Sequence, residues 1–138
     1  MICLVGFMGA GKSTALAELR SKGLSTADSD RLIEAETGLS VAEIFATSGE
    51  PAFRELESAT LADVLAGDAP TVVATGGGII ERDINRDALA SRCRVVWLSA
   101  SDEVLSARLH ASSVRRPLLE GDLDANLRRL RERREHLY

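Results

Sequence analysis

The chain has 138 residues, of which 45% are hydrophobic and 28% charged, and it carries a net charge of −4. Those values fit one soluble globular domain with a single real core, and the mildly acidic balance argues against general nucleic-acid binding, which needs a basic face. No uninterrupted apolar run is long enough to span a bilayer and no signal peptide is apparent, so the expected location is cytoplasmic, with no membrane partner.

In chain order, the apolar run Ile2 to Val5 reads as a buried strand. The segment Gly6 to Thr14 then fits G-x-x-x-x-G-K-[ST] at Gly6, Gly11, Lys12 and Ser13. A helix from Thr14 to Lys22, stopped by Gly23, completes the strand–loop–helix setting of a phosphate-binding P-loop. In such a loop the backbone N–H groups turn around phosphate oxygens, and the helix N-terminus adds positive potential. Lys12 is placed to reach the β- and γ-phosphates and the Ser13 hydroxyl to bind Mg²⁺. A glycine-rich turn without a ligand would need strand, loop, Lys-Ser pair and helix to coincide by chance. The chain is expected to bind a nucleoside triphosphate.

Leu24 to Ala27 is a weak, rather polar strand candidate that ends at Asp28-Ser29-Asp30. A short helix from Arg31 to Thr37 closes at Gly38, and Ser40 caps another across Val41 to Ala46. Ser48 to Pro51 opens a longer helix, with the proline in its first turn, that runs to Gly67. Thr71 to Ala74 is the next strand and leads into Thr75-Gly76-Gly77-Gly78. A helix near Arg82 to Ala90 precedes the clearest strand, Arg94 to Leu98. Asp102 to His110 reads as helix, 111 to 121 as a mobile loop containing Arg115-Arg116-Pro117, and Leu123 to Tyr138 as the last helix. Alternating strands and helices predict an α/β fold with a parallel sheet covered on both faces. Cys3 and Cys93 lie in apolar settings without metal-ligand spacing and are expected to be reduced core thiols.

Several charges fall where a core would not want them. Leu123, Leu127, Leu130 and Leu137 form one stripe of the last helix, and Arg134 lies in the middle of it. A guanidinium buried there needs something anionic opposite. Arg128, Arg129, Arg131 and Arg133 lie off the stripe and read as a solvated face. In the Pro51 helix, Glu57 falls on the inner face with Arg54 three residues before it. The pair is either a structural ion pair or a carboxylate orienting Arg54 toward an anionic substrate. Asp28 and Asp30 stand at the C-terminal end of a strand, the edge where open parallel sheets bind ligands. One can hold Mg²⁺ through water while the other accepts a proton from a substrate hydroxyl, although Asp30 also suits a helix cap. Gly76, Gly77 and Gly78 suit either close ligand approach or an ordinary tight turn.

Taken together, Gly6 to Thr14, Asp28-Ser-Asp30, Phe53-Arg54-x-x-Glu57, Ala74-Thr-Gly-Gly-Gly78, Arg116-Pro-Leu-Leu119 and the ending from Arg134 to Tyr138 resemble shikimate kinase, in that family's order and over essentially the whole chain. The resemblance implies one kinase domain over 1–138, a lid at about 111–121, a three-layer α/β/α fold and strand order 2-3-1-4. It implies transfer of a phosphoryl group from MgATP to the 3-hydroxyl of shikimate by a monomer that binds no nucleic acid. It places ATP on Gly9, Ala10, Gly11, Lys12, Ser13, Thr14, Arg108 and Arg116, with Arg115 as the alternative lid arginine. Shikimate falls on Asp30, Arg54, Glu57, Gly76, Gly77, Gly78 and Arg134. Ser13 and Asp28 attend the Mg²⁺, and Lys12, Asp30 and Arg116 are the implied catalytic groups. The family continues past the position of Tyr138 into a fifth strand, an adenine loop and a helix, so Arg94 to Leu98 is expected at an exposed sheet edge. The competing readings are a P-loop kinase for another hydroxy acid, such as gluconate, and a truncated, non-catalytic binding module.

Overall fold

The computed structural model describes residues 1–67 and 70–138. Along the chain run β1 (Ile2–Val5), α1 (Lys12–Ser21), β2 (Thr26–Asp28), α2 (Ser29–Thr37), α3 (Val41–Ala66), β3 (Val72–Ala74), α4 (Asp83–Arg92), β4 (Arg94–Trp97), α5 (Asp102–His110) and α6 (Leu123–Arg134). The strands form one parallel sheet in the order β2-β3-β1-β4, as the resemblance implies.

Strand alternation divides the core into layers. Cys3 and Val5 point to one face, where Leu61 of α3 and Leu89 of α4 pack on them. Leu4, with Val72 and Ala74 beside it, points to the other and meets Leu16 of α1. Beyond β1, Phe7 anchors a separate cluster with Leu105 and Leu109 of α5 and Leu127 and Leu130 of α6. The register sets Leu4 opposite Ala74, and Ala74 opposite Asp28. The loops after β1, β2 and β3 therefore leave the sheet side by side at one edge, which is what assembles the site.

Element boundaries follow from local chemistry. Asp28, in extended backbone, caps α2 by accepting the Asp30 N–H at 3.1 Å, so the cap is Asp28 and Asp30 is already in the first turn. Ser40 and Glu43 form a reciprocal capping box at the start of α3. That helix is two runs merged across Gly49, whose φ of 79° breaks the helical path just before Pro51. The expected break between two helices is thus present as a kink. A 3₁₀ turn at Ile79–Glu81 follows Gly78, and the last helix, expected to run to Tyr138, tightens into another at Glu135–Leu137.

One arginine departs from the expected solvated face of α6, while Arg133 stays exposed on it and pairs there. Arg131 donates to Asp102 and to the Ala100 carbonyl, tying α6 to the start of α5, and Arg133 donates to Glu81. Arg128 and Arg129 are exposed as expected. The Cys3 and Cys93 thiols are free, with their sulfurs 2.7 Å apart. Among the described residues no helix is long and apolar enough to cross a membrane.

β4 is an edge strand, and Val95, Val96 and Trp97 are 40%, 37% and 44% exposed. An apolar edge of this kind invites pairing with other chains. Val95→Lys is expected to raise the protein concentration at which light scattering begins, while changing unfolding free energy by no more than about 0.5 kcal/mol. Unchanged scattering would show that self-association does not proceed through this edge.

Candidate active site

At the shared edge of the sheet lies a cleft of about 1100 Å³. Its floor is the loop after β1. α1 begins at Lys12 with Gly11 as its N-cap, and Gly11 contributes no side-chain cap, so the first helical amides have no competing side-chain acceptor there. Gly9 to Thr14 line the cleft together. The Lys12 ammonium donates to the Gly6 and Phe7 carbonyls at 2.6 and 3.0 Å. Burial pulls its pKa down to about 8 against the opposing attraction of Asp30 and Asp28, with Arg134 and Arg116 adding to the depression.

Asp30 projects into the same cleft from the first turn of α2. Burial, then the neighbouring carboxylates of Asp28 and Glu57, push its pKa up to about 7, while Lys12 pulls the other way. Its Oδ1 is buried without a partner. On α3, Arg54 donates to Glu57 at 2.7 Å and to Glu50 at 2.9 Å, which leaves its buried Nε unpartnered. Glu57 is fully buried, with Oε2 on Arg54 and Oε1 unpartnered.

The triple glycine joins these groups. A Cβ on Gly76 would run into Glu57 and Asp30, and a Cβ on Gly78 would run into the Arg54 guanidinium. Close approach, rather than turn geometry alone, is therefore what these positions require. The Gly76 N–H is held by the Ser29 hydroxyl at 3.0 Å, which locks the loop to the start of α2.

Arg134 closes the far wall at the end of α6 and is fully buried. The anion that the leucine stripe demanded is present in the protein: Nε donates to Glu81. Nη1 and Nη2 remain buried without partners, and the guanidinium stands 5.8 Å from the centre of the Phe7 ring. The 3₁₀ turn that carries Glu81 had no signal in hydrophobic periodicity. Glu50 was not singled out from the sequence either, although its i,i+4 spacing from Arg54 was a signal that could have found it.

Arg108 and Arg116 border the cleft on the opposite side. Arg108, in the last turn of α5, donates to the Gly9 carbonyl at 3.0 Å. Arg116 donates to the Ser112 hydroxyl and the Val114 carbonyl and bears on the charge of Lys12. Arg115 instead pairs with Glu120 at 2.7 Å. That geometry favours Arg116 over its neighbour as the loop arginine facing the P-loop. Every residue expected from the sequence to form the site lines this one cleft.

The shikimate kinase family model matches residues 8–138. The chain belongs to the shikimate kinase family. It is 45% identical to the shikimate kinase of Symbiobacterium thermophilum, over 99% of this chain and 80% of that one. It superimposes with a TM-score of 0.92 on the shikimate kinase of Acinetobacter baumannii solved in complex with shikimate, at 39% identity, covering 99% of this chain and 76% of that one. A gluconokinase from Sinorhizobium meliloti matches at a TM-score of 0.51 and 20% identity, a likeness of fold alone.

The buried Asp30 carboxyl carries a consequence for stability in this kinase-family chain. An unfolded aspartate titrates near pH 4 and this one near 7, so folding binds a proton in that window. Its contribution to stability is full below pH 4 and is lost as pH rises through 7. Asp30→Asn is expected to be more stable than the parent at pH 8 by on the order of 2–4 kcal/mol, with the difference shrinking toward pH 4. Urea unfolding at the two pH values checks this, and a pH-independent difference would contradict the assignment.

Proposed function

We propose that this chain transfers the γ-phosphoryl group of MgATP to the 3-hydroxyl of shikimate through the residues of the cleft. The observation that carries the reading is a pairing of unmatched buried atoms. Asp30 Oδ1 and Glu57 Oε1 are acceptors without donors, while Arg134 Nη1 and Nη2 are donors without acceptors. Unpartnered buried polar atoms are costly, and a ligand bearing hydroxyls and a carboxylate supplies what each lacks. A hydroxylated ring acid is such a ligand. Its hydroxyls donate to Asp30 and Glu57, its carboxylate accepts from Arg134 with Arg54 nearby, and its ring lies against Gly76 to Gly78.

The triphosphate lies along Gly9 to Thr14, where the open amides of α1 face it and Lys12 neutralises the β- and γ-phosphates. The donor set fits Mg²⁺ arriving with the nucleotide. Among the described residues no cluster of three or more His, Cys, Asp or Glu is placed to hold a metal, whereas the Ser13 hydroxyl and the Asp28 carboxylate both line the cleft. Mg²⁺ is commonly held by one or two carboxylates together with substrate phosphates. When bound, it supplies charge neutralisation to the transferring group. Asp30 accepts the 3-hydroxyl proton as the new O–P bond forms and the bond from the γ-phosphorus to the β-phosphate oxygen breaks, releasing ADP. Segment 111–121 acts as the lid, bringing Arg116 to the phosphates and excluding water. The protein acts as a monomer in the cytoplasm, in the route to aromatic amino acids through chorismate.

A coupled assay of ADP release with MgATP, comparing shikimate, gluconate and no acceptor, tests the reading. Shikimate-dependent release that is abolished by Lys12→Ala is expected, and release with gluconate alone would overturn it. Arg134→Leu should lower kcat/KM for shikimate by about a hundredfold, since it removes a charge-assisted carboxylate contact. An unchanged value would remove Arg134 from the acid-binding end.

A further inference from the structure

The segment after the glycine triad carries a carboxylate that none of the roles above uses. Ile79 and Ile80 are buried, their carbonyls accept from Asn85 and Arg86, and the Glu81 N–H donates to the Gly78 carbonyl at 3.0 Å. The 3₁₀ turn is thus closed by its own backbone bond and pinned to α4, and Glu81 leaves it at a fixed place.

Each Glu81 oxygen takes a different arginine. Oε1 accepts from Arg134 Nε and Oε2 from Arg133 Nη2. Burial pushes the Glu81 carboxyl up, but Arg134, Arg54 and Arg133 together pull it below the ordinary carboxylate range, so it is ionised at neutral pH. Its side chain is only 12% exposed and that of Arg134 1%, so the contact is largely dry.

A guanidinium offers two edges to a carboxylate: the side edge through Nε and one Nη, or the end edge through both Nη groups. With Nε committed to Glu81, only the end edge remains for bidentate binding, and both of its nitrogens are unpartnered. A carboxylate so close to an anion site would ordinarily repel the ligand. Here two arginines against one glutamate leave a net positive charge, and Arg133, on the solvent side with a side chain 59% exposed, offsets the glutamate.

We propose that Glu81 is a positioning residue: it holds Arg134 by Nε so that the Nη1–Nη2 edge faces the substrate carboxylate. The same short segment then builds both ends of the acid site, with the glycines bordering the ring and Glu81 setting the arginine. The inference rests on the proposed function for the identity of the acid.

The test compares Glu81→Leu, Glu81→Asp and Glu81→Gln by steady-state kinetics and by calorimetric titration of shikimate, with thermal unfolding alongside. Gln keeps an oxygen that can accept from Nε, whereas Asp keeps the charge but is one methylene too short to reach. Leu and Asp are expected to raise KM and Kd for shikimate by about tenfold with kcat and the KM for ATP nearly unchanged. Gln should stay within about threefold of the parent, well short of the loss expected from a broken charge-assisted contact. If Leu fails to fold, Asp and Gln decide the matter alone. Parental KM in Asp would overturn the proposal, and so would tighter shikimate binding in Gln, which would mark Glu81 as a competitor of the substrate. A parent chain with no shikimate-dependent turnover would instead sink the proposed function, and the ligand of this inference with it.

Discussion

A buried cation that keeps most of its hydrogen-bonding capacity unspent is the constraint around which this molecule is organised. Arg134 sits among leucines at the end of α6, fully buried. Uncompensated, such a charge costs several kcal/mol, enough to consume much of the stability of a domain this size. The compensation comes from far along the chain, through Glu81 and the face of Phe7. Tyr138, just after the 3₁₀ turn beyond α6, adds support: its hydroxyl donates to the Gly77 carbonyl and its ring stacks on Trp97. The end of α6 is therefore tied at once to the glycine triad and to β4.

The acidic groups show the same tension in reverse. Asp30 and Glu57 meet beside Gly76 in the cleft, each with one oxygen unpartnered, and burial pushes both carboxyls upward. Two like charges and two desolvated groups destabilise the free protein, and a ligand that donates to them relieves that cost. Binding free energy and folding free energy thus draw on the same atoms, the usual form of the compromise between stability and activity. The glycines make the arrangement sterically possible, because any side chain at Gly76 or Gly78 would displace the groups that must approach. Rigidity comes from outside the cleft, in the bonds that Ser29, Asn85 and Arg86 make to the loop backbone.

Much of this was legible in the residues alone, and for identifiable reasons. The P-loop, β1, β4 and α5 follow local rules of pattern and capping that act over a few residues. The Arg54–Glu57 pair follows helical spacing. The demand for an anion opposite Arg134 was also legible, because a charge on an apolar stripe has one physical meaning. Its supplier within the protein was not: 53 residues separate Glu81 from Arg134, and no periodicity links a 3₁₀ turn to a distant helix end. The misplaced cap at the start of α2 has a more local cause. Asp28 and Asp30 are equivalent in pattern, and only the length of β2 decides which one leaves extended backbone. The pairs of Arg131 with Asp102 and of Arg133 with Glu81 escaped notice for the same reason as Glu81, since those acceptors lie on other elements, whereas the Arg131–Glu135 pair follows i,i+4 spacing.

The likeness to the gluconokinase is one of fold alone. That fold is shared at 20% identity, so the sheet, the P-loop strand and the placement of loops at one edge do not by themselves select an acceptor. What is particular here is a cleft bordered by backbone glycine and walled at one end by a buried guanidinium held at Nε. A flexible, open-chain acid can reach an arginine from many directions and gains little from one that cannot turn. A rigid cyclic acid has its carboxylate and hydroxyls at set separations. It gains most when the protein has already set the same separations, because little ordering remains to oppose binding. Anchoring Arg134 at Nε, Arg54 at both Nη groups and the glycine loop through Ser29 is the kind of preorganisation that rewards a rigid ligand.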